Sequence, residues 1–118
     1  MFLRLLPGLA LSVALASPAL AQTSDIATGH ALYNAHCSGC HLTSGAGGVH
    51  FSHAISSNLR APGLEETYHN NPSLLVRAIL YARDEDGDRL DSPMPAWKGV
   101  LSHKQALDIV AYLETLHG

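Results

Sequence analysis

The two cysteines of this chain stand three apart in Cys37-Ser38-Gly39-Cys40-His41, and that spacing carries a specific chemistry. On a helical turn, residues three and four apart share a face. Both sulfurs and the His41 imidazole therefore project to nearly the same side. Two thiols so placed can each form a thioether with one vinyl group of a haem, and the histidine that follows can bind the iron axially. One ring nitrogen takes the metal while the other donates to a nearby carbonyl, which fixes the ring. Cys37 and Cys40 are thus the candidate attachment residues and His41 a candidate metal ligand.

An iron kept for electron transfer has its second axial position closed, and thioether sulfur raises the potential relative to imidazole. Beyond the initiating residue, Met94 is the only methionine. It lies between Pro93 and Pro95, whose rings fix φ and remove N–H donors, so it belongs to a stiff loop able to present sulfur to a metal. Seven other histidines compete, at 30, 36, 50, 53, 69, 103 and 117. Of these, His50 and His53 lie in a glycine-rich stretch and offer a bis-histidine alternative. A zinc module from Cys37, Cys40, His50 and His53 is a further reading, although two residues between the histidines is shorter than the usual spacing. A thiol redox pair lacks the expected βαβ setting. A haem with an open distal site would make a gas sensor or peroxidase instead. Asp84, Asp86 and Asp88 resemble the start of a calcium loop, but Arg89 and Pro95 stand where glycine and glutamate are needed, which favours a solvated turn.

These residues need elements to hold them. Ser24 to His36 reads as a helix with Ile26, Gly29, Tyr33 and His36 or Cys37 along one stripe. A glycine on that stripe marks either a close backbone approach or simple tolerance. Residues 42 to 63 are interrupted by four glycines, Pro62, serines and histidines and read mostly as loop, long enough to wrap a large cofactor. Asn71-Pro72 starts a helix that runs through Leu75, Val76, Ile79 and Leu80 and stops near Arg83. Ser102 and Gln105 form a capping box before the apolar face Ala106, Ile109, Val110, Leu113 and Leu116. No period-two strand pattern and no repeat is present, so an all-α bundle of about three to four helices around one haem is expected.

Of the side chains, 47% are apolar and 14% charged, which favours one folded domain over disorder. Arg4, the apolar run Leu5 to Leu15 and the small-residue pattern Ala19-Leu20-Ala21 read as a cleaved signal, residues 1–21, leaving a domain over 22–118. Pro7 and Gly8 interrupt the run, which falls short of the roughly 20 residues that span a bilayer, so no stable membrane insertion is expected after cleavage. The domain carries six Lys and Arg against ten Asp and Glu, a net charge of −4. That balance excludes nucleic acid as a partner.

The ordered motifs resemble the class I, mono-haem cytochrome c family. Gly29 and Tyr33 match its small and aromatic positions before the first haem cysteine, and Tyr112 matches the aromatic position on its last helix. Ser92-Pro93-Met94-Pro95-Ala96-Trp97 followed by Leu101-Ser102 is similar to its methionine loop. Asn58-Leu59 is similar to its Pro-Asn-Leu segment, with Ser57 in place of the proline. The carbonyl that orients His41 then comes from Ser57 or from Ala61-Pro62-Gly63-Leu64. The resemblance implies one covalent haem c, iron held by His41 and Met94, and no catalytic residues. It implies a monomeric, soluble, exported or periplasmic carrier of single electrons between redox proteins such as a dehydrogenase, an oxidase or a reductase. An electron-accepting subunit of an exported dehydrogenase is the alternative. Trp97 is expected to pack beside the macrocycle.

Overall fold

The computed structural model of the protein describes residues 3, 7–12 and 23–118. The expected leader falls largely outside them, and its Ala19-Leu20-Ala21 pattern lies outside the described residues altogether. Among the described residues, no helix is long and apolar enough to cross a membrane.

Among the described residues there are five helical segments: α1 (Ile26–His36), α2 (Ser38–His41), α3 (Gly63–Thr67), α4 (Pro72–Tyr81) and α5 (His103–Leu113). Two of them, α2 and α3, are only four and five residues long, which is why the sequence pattern yields three to four. The stretch expected to be mostly loop also contains an antiparallel hairpin, β1 (His50–Phe51) with β2 (Ala54–Ile55). Two residues per strand are too few to show an alternation.

Helix α1 begins at Ile26, two residues later than the Ser24 expected. Asp25 is its cap, and its carboxylate accepts from the Thr28 N–H at 3.0 Å. That bond holds the Asp25 carboxyl below its ordinary range. Gly29 and Tyr33 are buried as the stripe requires, but Ile26 is half exposed. The reason is that Ile26 stands at the first position of α1, while the strip packed on α5 lies further along the helix at Gly29 and Tyr33.

At that crossing the backbones touch. A methyl group on Gly29 would lie 2.5 Å from the Asp108 carbonyl carbon and 3.1 Å from the Ile109 nitrogen. Glycine is therefore required by close approach. Asp108 is buried, and its Oδ1 accepts from the Asp25 N–H at 2.8 Å and from Lys104 Nζ at 2.5 Å. A carboxylate is tolerated there because both bonds satisfy it. Around the crossing, Tyr33 and Ile109 are almost wholly buried, and His30 stacks on Tyr112 with ring centroids 4.5 Å apart.

Helix α5 starts at the capping box, with both the Ser102 and Gln105 side-chain bonds present. It packs on α4, which contributes Leu75, Val76, Ile79 and Leu80 to the core. Asn71 caps α4, Pro72 opens it and Ala82, with φ at 52°, closes it in the left-handed region. The chain then folds back along the end of α4. The N–H groups of Leu90, Trp97 and Lys98 donate to the carbonyls of Ala82, Ile79 and Leu80 at 2.8, 3.0 and 3.0 Å. The loop bearing Met94 is thereby anchored on both sides.

Candidate functional site

A largely apolar cavity of about 790 Å³ opens between the end of α1, the hairpin, α3, α4 and the anchored loop. Its volume lies in the range of sites that hold a large organic ligand. Cys37, Cys40, His41 and Met94 all line it, with Leu59, Leu64, Leu75, Ile79, Leu90 and Leu113 as apolar wall. The helices explain the convergence. Cys37 ends α1, where its N–H donates to the Tyr33 carbonyl at 2.8 Å, and Cys40 and His41 complete the short turn of α2. Met94 is half-buried on the opposite strap.

The His41 ring is oriented by Ser57. Its Nδ1 lies 2.9 Å from the Ser57 carbonyl oxygen. A carbonyl can only accept, so Nδ1 carries the proton and Nε2 keeps its lone pair for a metal. The Ala61 to Leu64 stretch is not the partner, which decides between the two carbonyl sources left by the sequence. Immediately after His41, Leu42 has φ at 68°, an uncommon conformation for a residue with a side chain. The buried Tyr33 hydroxyl donates to the Leu42 carbonyl at 2.5 Å and ties this turn to α1. Burial, reinforced by Cys37 and Tyr112, pushes the Tyr33 phenol up to about 12.

Residues 26–117 match the family model described as Cytochrome c. The chain belongs to the cytochrome c family. No curated protein sequence matches it.

Membership makes this cytochrome a haem-containing electron carrier with covalent haem c, and its cavity fits that group. Both thiols are free, so neither is diverted into a disulfide. Burial, then the neighbouring Cys40, pushes the Cys37 thiol up to about 11. A thiol held protonated is a poor disulfide-exchange nucleophile, and the thioredoxin-type βαβ unit is absent among the described residues. The two histidines of the bis-histidine and zinc alternatives are absent from the cavity lining. His50 and His53 are exposed; the hairpin instead contributes the half-buried Phe51 and Ala54, with the exposed Ile55 at the rim. Among the described residues, no group able to hold a metal combines the cysteines with these histidines.

Among the described residues, Asp84, Asp86 and Asp88 form the one cluster of three or more acidic, histidine or cysteine side chains close enough together to hold a metal. Asp84 Oδ1 accepts from the Asp86 and Asp88 N–H groups at 2.9 and 2.8 Å, the pattern of a self-capped turn. Sequence reasoning missed other residues of the cavity. Phe51 and Ile55 give only a weak signal, as apolar residues in a polar stretch. His36, which lines the cavity and lies 4.9 Å from Trp97 between ring centroids, is marked only by its place on the α1 stripe.

Proposed function

We propose that this cytochrome holds one haem c through thioethers at Cys37 and Cys40, with His41 and Met94 as axial ligands, and carries single electrons between redox proteins outside the cytoplasm. The observation that carries the reading is the convergence of both cysteines, His41 and Met94 on one apolar cavity, with the His41 Nδ1 proton directed to Ser57 and Nε2 left free. When bound, the haem supplies a one-electron couple between ferric and ferrous iron.

The residues around it set the conditions for that couple. The Ser57 carbonyl raises the basicity of His41. The anchored loop brings a thioether rather than a second imidazole, which favours a higher potential. The leucine and isoleucine wall keeps the site poor in water, and closing both axial positions leaves no place for a substrate. Asp84, Glu85 and Asp91 also line the cavity. With only six basic side chains in the domain, the dehydrogenase, oxidase or reductase that docks there would present a basic face through a small, quickly released interface.

Residues 1–21 would direct export and be removed, leaving a monomeric domain over 22–118. Mass spectrometry of the purified protein checks both claims, since the mass should equal residues 22–118 plus one haem. Optical spectra of the two redox states test the ligands. The weak red-end band of iron–sulfur ligation should be present in the ferric protein and absent from Met94→Ala. A band that survives the substitution removes Met94 from the iron, and a colourless protein matured with haem-attachment machinery ends the haem reading.

A further inference from the structure

The carbonyl facing His41 is held by a loop remote from it in sequence. Ser57 is exposed and has no proline ring to stiffen it, yet its neighbours are bonded on both sides to residues 45 to 49. The Leu59 N–H donates to the Gly45 carbonyl at 2.7 Å. The Gly48 N–H donates to the Ser56 carbonyl at 2.8 Å, and the Ser56 N–H to the Val49 carbonyl at 2.9 Å. The Val49 N–H closes the set on Ser56 Oγ, also at 2.9 Å. The same loop grips the histidine, because the Gly47 N–H donates to the His41 carbonyl at 2.9 Å.

Gly47 therefore sits between the two partners of the His41 bond. Its φ is 63°, and a methyl group there would overlap the Ser57 carbonyl, 2.5 Å from its carbon. Gly48 shares the left-handed backbone, with φ at 82°, but a methyl group there meets nothing within 4 Å.

We propose that Gly47 is a positioning residue for the His41 proximal hydrogen bond: by letting the loop backbone lie against the Ser57 carbonyl, it sets how closely that oxygen approaches Nδ1 and hence the reduction potential of the iron. The proposal rests on His41 being an iron ligand. A short bond makes the imidazole a more basic ligand and favours the ferric state; pushing the carbonyl away weakens it. Lengthening the bond therefore moves the potential in the positive direction.

The test compares Gly47→Ala with Gly48→Ala in the haem-loaded protein. Both variants place a side chain at positive φ, so the backbone penalty is shared and only the first displaces Ser57. The readouts are the optical spectrum, the midpoint potential from a redox titration, and exchange of the His41 Nδ1 proton followed by NMR. With an unchanged ligand spectrum, Gly47→Ala should shift the potential positive and speed that exchange by roughly two- to tenfold, as for a weakened hydrogen bond. Gly48→Ala should match the parent in both. Equal behaviour of the two variants overturns the proposal. Should Gly47→Ala fail to accumulate with haem, Ser56→Ala takes its place: losing the Oγ acceptor for Val49 loosens the same carbonyl, with a smaller shift in the same direction. Parental potential and exchange in Ser56→Ala would then overturn it. A parent protein whose spectrum lacks histidine ligation fails at the earlier step, and the two failures are distinct.

Discussion

Replacing Gly29 with alanine adds one methyl group where α1 and α5 meet through their backbones. The added carbon would lie 2.5 Å from the Asp108 carbonyl carbon, whereas non-bonded carbon atoms rest at about 3.5–4.0 Å. The helices must part by about 1 Å, and no rotamer change can relieve a contact between backbone atoms. A gap of roughly that size forfeits a quarter to a half of each dispersion well, and a buried leucine-sized side chain makes roughly 40–60 contacts of about 0.1–0.2 kcal/mol each. Losing a quarter of those contacts on Tyr33 and Ile109, the two largest fully buried side chains, amounts to about 2–6 kcal/mol. Alanine returns about 1 kcal/mol through its better helix propensity. The expected net destabilisation is about 3 kcal/mol, the upper end of what overpacking produces. Denaturant unfolding of the haem-loaded protein, followed by far-ultraviolet circular dichroism, measures it. Gly63→Ala, where a methyl group meets nothing within 4 Å, serves as the control and should change stability little. A Gly29→Ala protein as stable as its parent, or more stable by the propensity gain alone, would refute the close crossing.

Two further outcomes follow from bonds at the same interface. The Tyr33 phenol is raised to about 12 from an ordinary value of 10.0, so the unfolded chain loses this proton first, and stability should fall as pH rises from about 10 toward 12. Tyr33→Phe should flatten that alkaline slope and cost about 1 kcal/mol at neutral pH, because the Leu42 carbonyl keeps its second donor, the Gly45 N–H; an unchanged slope would exclude Tyr33 as its source. Asp108→Ala removes the acceptor of both Asp25 N–H and Lys104 Nζ and should cost about 2 kcal/mol. Hydrogen exchange in the first turn of α1 should rise with it, and exchange confined to α5 would contradict the anchoring role.

What could be read from the sequence follows from how strongly chemistry restricts each feature. The Cys37 to His41 spacing is legible because the proposed pair of thioethers and the proposed imidazole ligand would have to meet a single macrocycle. Gly29 is legible because a glycine inside a helix is unfavourable without a reason, and the capping box of α5 is legible because Ser102 and Gln105 act through side chains. Backbone partners leave no such mark. Ser57 supplies a carbonyl, which every residue possesses, so only the folded loop distinguishes it from Ala61 to Leu64. The β1–β2 hairpin and α3 escape for another reason: segments of two and five residues are too short for periodicity. Spacing alone puts Ile26 on the buried stripe, but it is the first residue of α1 and stands half exposed beyond the buried Gly29 and Tyr33.

The pairing of α1 with α5 joins the beginning of the domain to its end: Asp25 and Asp108, which share a hydrogen bond, are 83 positions apart. At ribosomal speeds of roughly 5–20 residues per second, about 4–17 s separate the appearance of the two residues. Throughout that interval the Cys-x-x-Cys-His turn hangs at the tip of a helix whose docking surface has not yet been made. In a polypeptide whose last helix has not yet emerged, the contact between α1 and α5 that closes in the Cys37 to His41 turn is therefore still missing.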